Sequence, residues 1–151
     1  LEAEQYEEAI MDLTSAVKFG IPHQSFYWEA RRMKANCFMR LEDYKNAENE
    51  WRLLGRRNFS EREIAEGVPA YIAHQYSLAL LENGKPEEAI RTLEPFIKGE
   101  QPAKSDIPMA DLLFVRGLAL KQAGRKGFRS ALKEAAEAGS EQAADMLMAT
   151  A

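Results

Sequence analysis

The sequence predicts an all-α fold built from repeated helical hairpins, and two observations support this prediction. The first is a pattern that occurs four times, in which an alanine follows an aromatic residue or a proline by three positions. The alanines are separated by 38, 42 and 42 residues; they are Ala9, Ala47, Ala89 and Ala131. The second is that further apolar or small residues lie four and seven positions after each alanine. This spacing places them on one face of a helix.

Each of the last three patterns is preceded by a second stretch with helical spacing and by a short turn. The turns are predicted at 41–43, 82–85 and 123–127, where Gly84 and Gly124 allow the left-handed backbone that ends a helix. Short turns of this kind make successive helices antiparallel, so each unit is predicted to be a hairpin.

We predict a single repeat domain over residues 1–151. In chain order it has a partial unit at about 1–20, units at 23–57, 60–99 and 106–139, and a capping helix at 140–149. In the partial unit, residues 1–4 are predicted to be the end of an earlier helix. The capping-box pattern of Ser60 and Glu63 predicts a short extra helix. Prolines and a glycine predict a loop over 99–108. Because the chain opens inside a unit, we expect it to be part of a longer protein.

This arrangement resembles the tetratricopeptide repeat family. In this family the two helices of a unit cross at a small and a large residue that are three positions apart in the first helix. The second helix opens with an aromatic residue, and an alanine follows three positions later. The matching pairs of the first helix here are Ala35 and Phe38, Ser77 and Leu80, and Gly117 and Leu120. The resemblance covers most of residues 1–138 and implies a right-handed superhelical solenoid. The stretch from Ala135 to Gly139 is also similar to Sel-one-like repeats, relatives of the same architecture with a longer period.

Three charged residues depart from the family pattern. Arg31, Lys34 and Arg116 stand where the family prefers large apolar side chains. Two explanations stay open at this point: the aliphatic stems of these residues lie on the core with their charges in water, or the register of the first helix is shifted by one residue.

Composition and residue content argue against several function classes. The net charge of -4 disfavours nucleic acid as a partner, and no apolar run approaches the roughly 20 residues that span a bilayer. The lone Cys37 excludes an internal disulfide and is compatible with the cytoplasm, which we favour, and with a periplasm. His23 is expected at the surface, and no nucleophile–base or metal-ligand spacing is present. We therefore expect no catalysis, cofactor or metal.

The family resemblance implies that the first helix of each unit lines a concave surface that binds partners. The groove candidates are Arg32, Met33, Asn36 and Arg40, then Tyr71, His74, Gln75 and Leu78, and finally Phe114, Leu118 and Gln122; Glu29, Glu82, Asp111 and Val115 follow the same spacing. This series runs from basic and polar to aromatic and apolar, which suits a peptide or partner helix with an acidic end and an apolar end.

The sequence permits two more specific interpretations. Arg32 and Asn36 fit the first pair of the carboxylate clamp by which some tetratricopeptide domains hold chaperone tails, but Asp111 and Val115 occupy the positions of its other cations, so this capture is disfavoured. Trp51 with Arg52, Arg56, Arg57 and Arg62 forms a basic segment. Cations at a helix C-terminus are favourable in themselves, and an acidic partner docking there is the alternative.

The leading functional hypothesis is a protein-interaction scaffold or adaptor that binds a peptide or protein through its concave face. One alternative is self-association within a larger assembly, for which exposed apolar repeat surface would be the reason. Another is that the segment positions a substrate for an enzyme located elsewhere in a longer chain. The partner, its pathway and the residues that precede Leu1 do not follow from the sequence.

Overall fold

The computed structural model describes residues 3–19, 24–99 and 107–149 and is all-helical, with 82% of these residues in helices. His23 and most of the predicted loop over 99–108 lie outside these ranges. Within them the helices are α1 (Ala3–Phe19), α2 (Gln24–Arg40), α3 (Tyr44–Arg56), α4 (Glu61–Ala65), α5 (Val68–Glu82), α6 (Pro86–Ile97), α7 (Met109–Gln122), α8 (Phe128–Glu137) and α9 (Glu141–Ala149).

The chain divides into two compact units, Leu1–Arg57 and Asn58–Ala151. Unit 1 contains α1 to α3, and α2 packs on both α1 and α3. Unit 2 contains α4 to α9, where α6 packs on α5 and α7, and α8 packs on α7 and α9. Helices that follow one another along the chain are therefore the main packing partners within each unit.

In unit 1 the turn between α2 and α3 lies at the predicted residues. Glu42 adopts a positive φ of 59°, and the side chain of Asp43 accepts a hydrogen bond from the backbone N–H of Asn46, which caps α3. At the start of the chain α1 is continuous from Ala3, so Ala3 and Glu4 lie in the same helix as Tyr6. No glycine or proline stands between Glu4 and Tyr6 to end a helix there.

The cations of α2 that depart from the family pattern are paired with a buried carboxylate. Arg31 donates to Glu50 at 2.8 Å, and the Lys34 ammonium lies 3.6 Å from the other oxygen of Glu50. Arg31 also donates to the Tyr27 hydroxyl at 2.9 Å. The side chains of Arg31, Lys34 and Glu50 are only 19%, 16% and 11% exposed. The α2–α3 contact is therefore held partly by charge.

In unit 2 two hairpins follow the short helix α4. Ser60 and Glu63 form the predicted capping box at the start of α4. Gly84 and Gly124 have positive φ values of 75° and 71° in the turns of the α5–α6 and α7–α8 hairpins. L-residues with a Cβ rarely adopt such values, so these two positions end their helices as expected.

Antiparallel pairing within each hairpin follows from the core contacts. Leu80 packs with Ala89 and Ile90, while Leu78, earlier in α5, packs on the cluster that holds Leu93. In the second hairpin a Cβ built on Gly117 would lie 2.7 Å from Leu132 Cδ2, so α7 and α8 approach closely where the side chain is absent. Ser77 in α5 and Gly117 in α7, the small residues predicted at the helix crossings, are both buried.

Arg116, the third departure, joins three helices. Its guanidinium lies 3.4 Å from a Glu94 oxygen in α6 and 3.5 Å from a Glu134 oxygen in α8. Its position in α7 between two glutamates gives this half-buried cation acidic partners on both neighbouring helices. As with Arg31 and Lys34, the charge is matched by acids on neighbouring helices.

Candidate binding surface

The first helices of the two hairpins in unit 2 lie side by side. The Gln122 amide in α7 donates to the Leu81 carbonyl in α5 at 3.0 Å, and the Asp111 carboxylate in α7 acts electrostatically on His74 in α5. Because the later residue of α5 meets the later residue of α7, the two helices run in the same direction. Two parallel helices in contact present one continuous face.

We call this surface the α5–α7 face. It comprises Tyr71, His74, Gln75, Leu78 and Glu82 on α5, and Asp111, Phe114, Leu118 and Gln122 on α7. Glu82 and Gln122 are exposed, and the other members are half-buried. The structure therefore brings together all seven groove candidates that the sequence placed in unit 2.

The half-buried members are held by packing on the core beneath them. Leu78 packs against the cluster formed by Leu93, Leu112 and Val115, and Phe114 packs against the cluster that contains Leu113 and Leu132. Val115 has the groove spacing in the sequence but is 2% exposed. It points into the α6–α7 contact, which removes it from the surface.

His74 is a titratable group of the face whose pKa is shifted. Burial lowers the pKa of His74 from its ordinary value of 6.5, and the charge of Asp111 opposes this effect. The His74 Nδ1 lies 3.3 Å from Gln75 Nε2. An amide nitrogen is a donor, so the neutral ring accepts at Nδ1 and carries its proton on Nε2.

We expect acidification to destabilise unit 2 through His74. Below about pH 6.5 the unfolded chain takes up a proton that the folded histidine resists, so stability is lost as the pH falls from 6.5 through the lowered pKa of the folded state. Thermal unfolding followed by circular dichroism at a series of pH values measures this loss. His74→Gln is expected to flatten the dependence in that range, and an unchanged dependence in this variant would contradict the assignment.

Comparisons with protein-family models, curated proteins and solved structures returned no match. Within the described residues no helix is long and apolar enough to cross a membrane. In the same ranges no group of three or more His, Cys, Asp and Glu side chains is arranged to hold a metal ion.

The groove candidates of unit 1 all lie on α2. Met33 is 51% exposed, and Arg32 lies 3.9 Å from Glu29 with 41% of its side chain exposed. Arg40 is exposed in the last turn and Asn36 is half-buried. This helix therefore presents a basic surface, whereas the α5–α7 face carries no lysine or arginine.

The basic segment after Trp51 is largely engaged in local contacts. Trp51 is fully buried. Arg52 lies 3.6 Å from Glu48 and Arg57 lies 5.1 Å above the Trp28 ring. In unit 2, Arg62 pairs with Glu66 at 2.9 Å. The sequence explained these cations by the macrodipole at a helix C-terminus, and the structure adds local ion pairs and a cation–π contact.

Cys37 has a structural environment rather than a reactive one. It is half-buried in α2, and burial raises the pKa of its thiol. A raised pKa disfavours the thiolate, which is the nucleophilic form.

Two acidic residues of the surface were not among the binding residues predicted from the sequence. Asp111 and Glu82 follow the same helical spacing as the predicted groove residues. The structure places both on the α5–α7 face, where they are its only acidic members. The absence of lysine and arginine from α5 was the available signal.

Proposed function

We propose that this chain is a protein-interaction module of the tetratricopeptide-like type, a right-handed solenoid of helical hairpins, and that it binds a peptide or protein segment on the α5–α7 face. The observation that carries the proposal is the pair of parallel, adjacent helices with half-exposed aromatic and aliphatic side chains between polar ones. Such a surface offers a partner apolar contact area and hydrogen-bonding groups together.

Partial burial is what makes these side chains suitable for binding. Leu78 and Phe114 are fixed on one side by the core clusters, so a partner would lose little additional side-chain entropy when it covers their remaining surface. Gln122 is likewise held by its hydrogen bond to Leu81. A surface that is ordered before binding favours affinity.

The repeat interpretation is supported by the small residues at the helix crossings. Ala89 and Ala131 of the repeated pattern are buried in α6 and α8, at 0% and 6% exposure. They lie in hairpins with Ser77 and Gly117, the small residues of the preceding helices. The same pairing in both hairpins of unit 2 is the relation that a repeated unit requires.

Selection of peptides from a random library displayed on phage tests the proposed function. A selected peptide is synthesised, and its Kd for the whole chain is measured by fluorescence polarisation. Leu118→Ser on the face is expected to weaken binding about tenfold or more, equivalent to roughly 1.4 kcal/mol. The matched control is Leu53→Ser, because Leu53 is an exposed leucine in α3 of unit 1, 44% accessible, and binding should not change.

Two results would count against the proposed function. One is that no peptide binds the chain with a saturable isotherm. The other is that Leu118→Ser and Leu53→Ser have the same Kd as the original chain while circular dichroism shows all three folded. In the second case the bound peptide would occupy a different surface.

A further inference from the structure

We infer that the α5–α7 face selects a segment in which an apolar residue is flanked by basic residues on both sides. This inference rests on the proposed function and adds to it the chemistry of the partner. The inference concerns only the face of unit 2. For the whole series of groove candidates the sequence predicted a partner with an acidic end and an apolar end, whereas the partner inferred for this face is basic and apolar.

The charge pattern of the face is the first argument. Its two acids lie at opposite ends, Asp111 in the first turn of α7 and Glu82 at the last residue of α5. Among the described residues neither takes part in an ion pair or side-chain hydrogen bond. His74 is neutral above its lowered pKa, so it adds no positive charge to the face at neutral pH.

Two cations of α7 lie outside the face, and Lys85, three residues after Glu82, lies in the turn that precedes α6. Arg116 is held by Glu94 and Glu134 on the side of α7 that meets α6 and α8. Lys121 lies one residue from Gln122, but helical spacing places it beyond Phe114 on the flank that is turned away from α5. The members of the α5–α7 face themselves therefore include two acids and no lysine or arginine.

The helix macrodipole explains the position of one of the two acids. An acid in the first turn, such as Asp111, complements the helix macrodipole. Glu82 stands at the opposite end of its helix, where a negative charge is unfavourable and a cation is preferred. Its position is therefore not explained by the stability of α5, whereas a basic partner residue would make it favourable.

Leu78 and Leu118 are the apolar centre of the face, and their distances from the two acids set the spacing expected of the partner residues. Leu118 lies seven residues after Asp111 in α7, which is about 10 Å along a helix. Leu78 lies four residues before Glu82 in α5, or about 6 Å. An extended segment covers these distances in about three and two residues. The expected motif is a basic residue, an apolar residue about three positions away, and a second basic residue about two positions beyond.

An acidic segment is disfavoured on this face for the same reason. Bringing a carboxylate close to Asp111 or Glu82 places like charges together in partly desolvated surroundings, which costs free energy. In unit 1 the exposed Arg32 and Arg40 on α2 remain candidates for an acidic ligand. The two units thus offer surfaces of opposite charge.

The test selects random peptides on the original chain and on Asp111→Lys, and compares the residues enriched. The original chain is expected to enrich lysine or arginine flanking an aromatic or aliphatic residue. Asp111→Lys is expected to lose this preference and to weaken the originally selected peptide at least tenfold. Asp145→Lys is the matched control, since Asp145 is an exposed acid on α9, and should bind as the original chain does.

Asp111→Asn and Glu82→Lys keep the test decisive if Asp111→Lys is poorly folded. Asp111→Asn removes the charge at nearly constant volume and should weaken binding severalfold and reduce its dependence on salt. Peptides without basic enrichment, or an affinity that is the same in Asp111→Asn, Glu82→Lys and the original chain, overturn the inference. If Leu118→Ser still abolishes binding in that case, the proposed function stands without it; if no peptide is selected, both fail.

Discussion

Replacing Glu50 by alanine is expected to destabilise unit 1 by about 2–3 kcal/mol, because it leaves two cations without their carboxylate in a poorly hydrated site. Arg31 and Lys34 both contact Glu50, and their side chains are 19% and 16% exposed. The measurement is urea denaturation followed by tryptophan emission. Both tryptophans of the chain, Trp28 and Trp51, lie in unit 1, so the signal reports on that unit.

Two variants separate the loss of the charge pair from the loss of the side chain. Glu50→Gln keeps an acceptor for Arg31 and should cost less than Glu50→Ala. The apolar triple variant Arg31→Met, Lys34→Leu, Glu50→Leu should recover most of the stability, since well-packed apolar residues often replace a buried ion pair without loss. Glu7→Ala, at an exposed acid of α1, is the surface control. Equal midpoints for Glu50→Ala and Glu7→Ala would show that the pair contributes nothing.

Replacing Gly117 by valine is expected to destabilise unit 2 by about 3 kcal/mol. Even a Cβ at this position would lie 2.7 Å from Leu132 Cδ2 and 3.1 Å from Leu132 Cγ, and Leu132 is fully buried. Overfilling a packed core costs about 1–3 kcal/mol and occasionally more, and valine adds two further carbons. Circular dichroism should show earlier loss of helix while the tryptophan emission of unit 1 keeps its own midpoint.

The Gly117 prediction has an internal check in a second substitution. Gly117→Val combined with Leu132→Ala should be less destabilising than the sum of the two single variants by at least about 1 kcal/mol, because the new side chain fills the space that leucine leaves. Gly127→Ala is the control glycine variant, since a Cβ there has no heavy atom within 4 Å. Additive effects of the pair would mean that α7 and α8 separate rather than clash.

The local features of the fold were predictable because their causes are local. The turns at Gly84 and Gly124 depend on a left-handed backbone that glycine adopts without strain. The capping box at Ser60 depends on two side chains three residues apart. Ala89 and Ala131 were placed on the buried faces of α6 and α8 by helical spacing alone.

Features that depend on a neighbouring helix were predicted less well. The sequence left Arg31 and Lys34 with two open explanations, and neither included Glu50, which lies in α3 and is buried with them. Val115 and Leu118 both had the spacing of groove residues, yet Val115 is buried against α6 and Leu118 remains half-exposed. The spacing along one helix identifies a face but does not tell which neighbour covers it.

The sequence by itself determined the helical class, the turn positions and the buried small residues Ser77 and Gly117, because each follows from backbone preferences and spacing within about ten residues. Only the tertiary structure decided the charge of the candidate surface. The α5–α7 face became acidic when packing placed Asp111 and Glu82 on its two ends and directed Arg116 towards Glu94 and Glu134. Charges become matched or unmatched only when helices distant in sequence meet, so this property belongs to the folded chain.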